Sequence, residues 1–352
     1  MARRSTLLTL TLVVGLALAT GPAQQVNGLP PTEEPTLAPS PAPGEEPTEE
    51  PSSEPVAEPA AAPARRLSNG CRVGPRGLPG CGAYMGASHG GNDDPSSLER
   101  RAGTQLGVRR TYYRGDQVEY AVTTVRQDLA AGRLPWISFK LPLSWEDMAS
   151  GEGDAWTRDL AEQLADMDGP VWLAFHHEPE GDGDMDAWRR MQERLAPIVR
   201  STARNVAFTV ILTGWNQMFG SPDYALSQIW PRDTKIDVAG FDIYNEFGVR
   251  KHGYRIDEWP RLRHNYFQPL SSWARRHDVA WGLAETGITN EGFRSSPRWI
   301  QRSFRTMRQE GGVAFAYFDS PLNTTASYAL TAPAKIASFT RTVARGARLP
   351  RP

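Results

Sequence analysis

The chain has 352 residues, enough for one domain of about 250 residues with additional segments. Its formal net charge of −1 gives no electrostatic argument for a nucleic acid or an acidic membrane surface as partner. Its eleven Trp and ten Tyr would suit the CH-rich faces of sugars, although core packing is the commoner fate of any one aromatic residue.

The N-terminus has the layout of a secretory signal peptide. Arg3 and Arg4 precede an apolar run from Leu7 to Ala19, and small residues continue to Ala23. The run is too short to predict a membrane span, and no cysteine stands directly after it to carry a lipid anchor. We therefore predict that residues 1–23 are removed and that the mature protein has no membrane span. It is expected to be secreted, with retention at the cell wall as an alternative.

A Pro- and Glu-rich segment comes next. Pro, Glu, Ala, Ser and Thr dominate it from Leu29 to Arg66, with almost no large apolar side chains. Such a segment cannot bury enough surface to offset the entropy lost on ordering. We predict a disordered acidic linker over residues 24–68, and a folded domain over residues 69–348.

The only two cysteines, Cys71 and Cys81, lie close together in a stretch rich in Gly and Pro. In an exported protein such a pair is expected to form a disulfide. A metal site would require more ligands nearby. We predict one disulfide that closes a small loop at the mouth of the folded domain.

Short apolar runs alternate with longer amphipathic segments through the rest of the chain. The intervening segments carry apolar residues at three- and four-residue spacing, which indicates helices that cover a sheet. Eight units, each made of one apolar run and the amphipathic segment after it, predict an α/β fold of the (β/α)8 TIM-barrel type. An open doubly wound sheet is the alternative, but no Gly-rich nucleotide-binding turn follows the first run. The predicted strands are residues 82–86, 108–114, 134–140, 171–178, 206–214, 237–245, 280–287 and 313–320.

In this fold the active site lies at the carboxyl ends of the strands, so polar and aromatic residues there are candidates for function. Two of them are glutamates, Glu178 after the fourth strand and Glu285 after the seventh. The strand-end candidates are Tyr84, Arg114, Lys140, His176, His177, Glu178, Trp215, Asn216, Asp242, Tyr244, Asn245, Glu285, Phe318 and Asp319.

Two carboxylic acids on either side of one bond are what glycoside hydrolysis requires. Glu178 and Glu285 are three barrel units apart, so they should face each other across the mouth of the barrel. Glu180 lies close to Glu178 in sequence, and its negative charge would raise the pKa of Glu178. We predict that Glu178 is the general acid/base and that Glu285, with small neighbours, is the nucleophile.

The stretch from His176 to Asp186 is rich in side chains that can bind a metal ion. Adjacent histidines on a strand point to opposite faces, so His176 and His177 cannot both reach one zinc ion. The acidic residues from Glu180 onward lack the Gly and Glu positions of an EF-hand loop. No metal and no cofactor are predicted, because hydrolysis by two carboxyl groups needs neither.

The strand-end motifs resemble the retaining glycoside hydrolases of clan A. The motifs are His177-Glu178, GFDIYN from Gly240 to Asn245, and AETG from Ala284 to Gly287. A His directly before the acid/base is most similar to family 26, which contains β-mannanases, some β-1,3-xylanases and mixed-linkage endoglucanases. The resemblance covers roughly residues 82–344.

This resemblance implies the same roles for Glu178 and Glu285, and it adds neighbours. His177 would help to bind the sugar or tune the acid/base, and Tyr244 would hydrogen-bond the nucleophile. Trp215 would provide an aromatic platform. Asp242 and Tyr84, as strand-end residues, complete the predicted substrate-binding set.

The sequence thus predicts a secreted, monomeric, endo-acting glycoside hydrolase that cleaves a β-linked, mannan-like polysaccharide by double displacement. One alternative is a non-catalytic carbohydrate-binding protein on a hydrolase scaffold, although such a protein has no use for two facing carboxyl groups. Another is a glycosidase that processes polysaccharides of the cell envelope.

Overall fold

A computed structural model describes residues 65–351, apart from residue 252 and residues 323–325. The predicted signal peptide and residues 24–64 of the predicted linker lie outside the described residues. No helix in the described part of the chain is long and apolar enough to cross a membrane.

Eight parallel strands close into a barrel, which confirms the predicted fold. The first and last barrel strands pair with each other, so the sheet has no free edge. A short antiparallel hairpin interrupts the series after the sixth barrel strand. The strands are β1 (Tyr84–His89), β2 (Val108–Arg114), β3 (Leu134–Lys140), β4 (Val171–Phe175), β5 (Val206–Leu212), β6 (Val238–Asn245), β7 (Arg250–Lys251), β8 (Tyr254–Arg255), β9 (Ala280–Ile288) and β10 (Ala314–Asp319).

Helices surround the barrel and bury their apolar faces against it. The predicted amphipathic segments all contain helices, but the segment before β9 begins with a short π-helix, Arg263–Phe267. The α-helices are α1 (Ser96–Ala102), α2 (Val118–Ala130), α3 (Trp145–Ser150), α4 (Asp154–Ala165), α5 (Met185–Thr202), α6 (Trp215–Phe219), α7 (Leu226–Ile229), α8 (Gln268–Arg276), α9 (Asn290–Ser295), α10 (Trp299–Gln309) and α11 (Pro333–Val343).

Large aromatic side chains fill the barrel interior below the site. Trp136 of β3 and Trp172 of β4 meet edge to face, with ring centroids 5.0 Å apart. The indole of Trp136 also donates a hydrogen bond to the Thr209 hydroxyl of β5 (3.1 Å). A Cβ at Gly240 of β6 would lie 2.8 Å from the Trp136 ring, so glycine makes room for this tryptophan. The packed interior gives the strand ends above it a rigid base.

The disulfide between Cys71 and Cys81 is confirmed, with Cα atoms 5.5 Å apart. Its predicted position at the barrel mouth is wrong. Between the two cysteines, Arg76 donates to the carbonyl of Val206, the first residue of β5, and Gly77 lies against Pro170, just before β4. The loop therefore covers the amino ends of the strands, on the side opposite the site.

The folded domain extends slightly beyond its predicted limits of 69 and 348. Leu67 is buried in the core, and the backbone amide of Ser68 donates to the carbonyl of Arg348. Leu349 is also buried, and its amide donates to Gly132. The two ends of the domain thus pair with each other, which the composition of the linker did not indicate.

A buried ion network links α1 and α2 to the start of β3. Arg133 donates to Asp128 (2.7 Å) and to both carboxylate oxygens of Glu99 (2.9 and 3.0 Å), while Arg109 donates to Asp128 (3.2 Å). All four residues are at most 9% exposed. Removing one partner from such a network leaves an uncompensated buried charge.

We expect Arg133→Met to lower the free energy of unfolding by about 3–5 kcal/mol, because Glu99 would lose its guanidinium partner. Urea unfolding followed by circular dichroism measures this. Arg158→Met, at an exposed position on α4, is the matched control and should change stability by less than about 0.5 kcal/mol. Equal midpoints for the two variants would show that the network does not stabilise the fold.

Candidate active site

The segment after β4 carries the predicted acid/base. The strand ends at Phe175, so Glu178 lies three residues past it rather than within it as predicted. The amide of His176 donates to the carbonyl of Phe139 in β3 (2.8 Å), and the amide of Glu178 donates to Ile211 in β5 (3.0 Å). The segment is therefore fixed to both neighbouring strands.

His176 and Glu178 both adopt the left-handed backbone conformation, with φ of +44° and +49°. A residue with a side chain normally avoids this region, at a cost of order 1–3 kcal/mol when the surrounding structure imposes it. His177 lies between these two residues. The chain turns sharply here, and all three side chains stay near the mouth of the barrel.

His176 is an anchor of this turn that the sequence left without a role. The indole of Trp145 in α3 donates to its Nδ1 (2.9 Å), so Nε2 carries the proton and donates to Asp182 (3.0 Å). The carbonyl of His176 accepts a hydrogen bond from the Trp188 indole of α5 (3.0 Å). Burial lowers the pKa of His176, which favours this neutral tautomer.

Glu285 lies near the end of β9 and is 6% exposed. The hydroxyl of Tyr112 donates to its Oε1 (2.6 Å), and the hydroxyl of Tyr244 donates to its Oε2 (2.5 Å). Each carboxylate oxygen thus accepts one hydrogen bond from a hydroxyl group, which fixes the orientation of the carboxyl group. The predicted contact between Tyr244 and Glu285 is present in the structure, whereas Tyr112 was missed.

A β-bulge sets the direction of the Glu285 side chain. Phe241 of β6 is paired with Leu283, but the next residue, Asp242, is paired with Glu285, so β9 contains one extra residue at Ala284. Bulges of this kind re-aim side chains beside active sites.

Glu178, the other glutamate of the cleft, has a raised pKa. Burial raises its pKa to about 8, and the negative charges of Glu285 and Glu180 act in the same direction. A carboxyl group with this pKa is protonated at neutral pH and can donate a proton. One cleft therefore contains one carboxyl group suited to donate a proton and one that accepts two hydrogen bonds.

The cleft has a volume of about 420 Å³ and opens at the carboxyl ends of the strands. It brings together four of the predicted catalytic and substrate-binding residues, namely His177, Glu178, Tyr244 and Glu285. Three other strand-end candidates, Arg114, Lys140 and Phe318, also line it. Its lining residues are Tyr112, Tyr113, Arg114, Gln117, Lys140, His177, Glu178, Tyr244, Glu285, Phe318 and Leu322.

His177 lies beside Tyr112 and lines the cleft next to Glu178. Its ring centroid is 5.4 Å from that of the tyrosine, and its Nδ1 is buried without a hydrogen-bond partner in the described structure. Burial, together with the positive charge of Arg110, holds its pKa well below the usual range. His177 is therefore a neutral group on the wall of the cleft.

The structure does not bring Asp242 and Tyr84 into the cleft, so their prediction as substrate contacts is wrong. Asp242 is 3% exposed and lies on β6 two residues below Tyr244, one layer deeper in the barrel. Tyr84 is fully buried because it begins β1 rather than ending it, and its hydroxyl donates to the carbonyl of Gly77 (2.9 Å).

Asp242 is paired in register with Glu285 and is one of several buried polar residues of the barrel. Both of its carboxyl oxygens, two guanidinium nitrogens of Arg110 and the hydroxyl of Ser138 are buried without hydrogen-bond partners among the described residues. Buried polar atoms of this kind usually bind ordered water. Burial and the negative charges of Glu285 and Glu178 raise the pKa of Asp242 well above its usual range.

Trp215 is 56% exposed on α6, directly after β5, and does not line the cleft. Its predicted place at the end of the fifth strand is correct, but the structure puts it outside the enclosed volume.

The fold is shared with solved structures at low sequence identity. A family 26 β-mannanase from Bacteroides ovatus is 15% identical, with a TM-score of 0.52 over 74% of this chain and 88% of that chain. Thermotoga maritima Cel5A in complex with mannotriose is 13% identical, with a TM-score of 0.53 over 71% and 90%. A fungal β-1,4-galactanase structure is 14% identical, with a TM-score of 0.52 over 74% and 100%.

These similarities show that the chain shares the (β/α)8 barrel fold of these enzymes. A scan against protein-family models and a search of curated proteins find no match. The resemblance to family 26 in particular therefore depends on the strand-end motifs and stays a prediction.

Proposed function

We propose that this protein is a retaining, endo-acting glycoside hydrolase that cleaves internal bonds of a β-linked polysaccharide. The main support for this proposal is that Glu178 and Glu285 lie in one cleft. Glu178 has a raised pKa, and Glu285 accepts hydrogen bonds from two tyrosines. Neutral and ionised carboxyl groups in one site are the two reactive groups of this chemistry.

The similar structures support a polysaccharide as substrate. Their names describe a β-mannanase, β-1,4-galactanases and an enzyme that takes mannotriose as substrate. The His177-Glu178 motif favours family 26 and hence a mannan-like chain. The predicted signal peptide further suggests that the enzyme acts outside the cell.

In the first step of the proposed reaction, Glu285 attacks the anomeric carbon while Glu178 transfers its proton to the leaving oxygen. Tyr112 and Tyr244 keep the Glu285 carboxylate in one orientation for the attack. The product is a covalent ester between the sugar and Glu285, together with a released chain end.

The same arrangement prepares Glu178 for the second step. Once Glu285 is esterified it has no charge, so one cause of the raised pKa of Glu178 disappears. The pKa of Glu178 then falls, and its carboxylate can take a proton from water. That water attacks the ester and releases the sugar with its original anomeric configuration.

Activated 2-deoxy-2-fluoro glycosides test this proposal directly. The wild-type protein is incubated with a panel of manno, gluco and galacto derivatives, digested and analysed by mass spectrometry. We expect a stable glycosyl adduct on the peptide that contains Glu285. No adduct across the panel, with binding to polysaccharide but no cleavage, would support the non-catalytic alternative.

The pH dependence of kcat/KM should follow the protonation of Glu178. Because its pKa is about 8, the acid is protonated below that pH, and activity should decline as the pH rises through about 8. Initial rates on a soluble β-linked polysaccharide between pH 5 and pH 10 measure this limb. A decline centred near the ordinary glutamic acid pKa would contradict the buried, charge-coupled environment described for this residue.

A further inference from the structure

Two aromatic side chains lie exposed beside each other at the carboxyl end of the barrel. On α6, Trp215 is 56% exposed and Phe219 is 50% exposed, and their ring centroids are 6.5 Å apart. Phe219 also packs edge to face on Tyr266 at 5.5 Å, so its ring is supported from below. Helix α6 has the sequence WNQMF and contains no charged residue.

Hydrogen bonds fix α6 to the segment that carries the acid/base. Oε1 of Glu180 accepts from the amide and the hydroxyl of Thr213 (3.0 and 3.2 Å) and from the side-chain amide of Gln217 (2.5 Å). Glu180 follows Glu178 by two residues, so the aromatic pair and the acid belong to one rigid unit.

The turn into α6 is equally constrained. Gly214 has φ of +70°, and a Cβ there would lie 2.6 Å from a side-chain carbon of Ile243. Its amide donates to the side-chain carbonyl of Gln217 (2.8 Å). The exposure of Trp215 is therefore set by the fold and is not the result of a loosely held loop.

The aromatic pair lies outside the cleft, beyond the end of β5. The cleft is lined by residues of β2, β3, β6, β9 and β10, of the segment after β4 and of the neighbouring loops. None of its lining residues belongs to β5 or α6. Strand β4 pairs with β3 on the cleft side and with β5 on the α6 side. Glu178 thus stands at the boundary between the enclosed cleft and the aromatic surface.

The proposed chemistry assigns a direction to a chain bound across this boundary. The sugar that becomes attached to Glu285 must lie in the cleft, whereas the leaving oxygen must be within reach of the Glu178 proton. The part of the substrate that leaves then continues over the end of β5, where Trp215 and Phe219 are exposed.

We infer that Trp215 and Phe219 form a binding surface for the leaving-group side of the substrate and stack against neutral sugar units beyond the scissile bond. This inference depends on the proposed hydrolase function. Flat aromatic rings suit the apolar CH faces of neutral sugars. The enzyme is accordingly specific for chains that extend past the cleavage point, which is the recognition expected of an endo-acting enzyme.

Two substrate types with the same sugar in the cleft test the inference. Manno, cello and galacto hexasaccharides extend on both sides of Glu178, whereas the corresponding 2,4-dinitrophenyl glycosides carry only a small leaving group. The series that the wild-type protein cleaves fastest is used. The variants are Trp215→Leu, which keeps apolar volume without a flat ring, Trp215→Phe, which keeps a ring, and Phe219→Leu.

We expect Trp215→Leu and Phe219→Leu each to lower kcat/KM for the hexasaccharide roughly tenfold, because each loses one ring–sugar contact. The dinitrophenyl glycoside should change by less than about twofold in the same variants, and Trp215→Phe should retain most activity on both substrates. Because both side chains are exposed, the melting temperature should stay within about 2 °C of the wild type.

Unchanged hexasaccharide kinetics in an active enzyme would overturn the inference and leave the proposed function intact. An equal loss on both substrate types would also overturn it, because it would indicate a general effect on the active site. If the wild-type protein cleaves neither type of substrate, the proposed function fails, and this inference fails with it.

Discussion

Glu285→Gln is expected to lower kcat/KM on a β-linked polysaccharide by on the order of 10⁵-fold, because an amide cannot form the glycosyl ester. Tyr112 and Tyr244 donate to the two oxygens of Glu285, so a shape-conserving amide should fold normally while losing one acceptor. Reducing-sugar release and thermal unfolding, measured on the same preparation, separate loss of chemistry from loss of structure.

Glu291→Gln is the matched control for this variant. Glu291 lies six residues further on, in α9, and its carboxylate forms an ion pair with Arg255 rather than facing the cleft. We expect it to retain activity within about twofold of the wild type. Activity above roughly 1% of wild type in Glu285→Gln would exclude this residue as the nucleophile.

Glu178→Gln is expected to reduce activity in a way that depends on the leaving group. On polysaccharide, where the leaving alcohol needs a proton, the loss should be about 10²–10⁴-fold. On a 2,4-dinitrophenyl glycoside, the first step should proceed without the acid, so that the covalent ester accumulates and a rapid burst of dinitrophenol precedes slow turnover. Stopped-flow absorbance measures this burst.

Alanine variants of the two glutamates should also differ in their response to azide. In a Glu178 variant with a smaller side chain, such as Glu178→Ala, azide replaces water in the attack on the Glu285 ester, and the product is a β-glycosyl azide. In Glu285→Ala, azide attacks the substrate directly from the opposite face, and the product is an α-glycosyl azide. Proton NMR of the products distinguishes these outcomes, and identical anomers from both variants would contradict the assigned roles.

The barrel and its two glutamates could be predicted from the sequence because strand patterning is local. Apolar runs mark the strands, and the first polar residues after them mark the mouth of the barrel, as Glu178 shows. Depth within the barrel is harder to predict. Asp242 and Tyr244 share one face of β6 and differ by one layer, and only the closed structure shows which of them reaches the cleft.

Other site features have no local sequence pattern. Tyr112 and Tyr113 are adjacent and point to different sides of β2, so the sequence alone could not assign the contact with Glu285 to one of them. The bulge at Ala284 depends on pairing with β6, which is distant in sequence. Helix α6 has only five residues, too few for a periodic pattern, so the place of Phe219 beside Trp215 could not be predicted.

The left-handed backbone at His176 and Glu178 has a consequence for laboratory evolution. Glycine adopts this conformation without steric cost, so selection for thermal resistance alone would favour glycine at Glu178, whereas the hydrogen bonds of the His176 side chain oppose the same change at His176. The substitution at Glu178 would remove the proposed acid. A thermostability screen on this protein therefore needs an activity readout at every round, because the positions most open to improvement in stability include one proposed to perform the reaction.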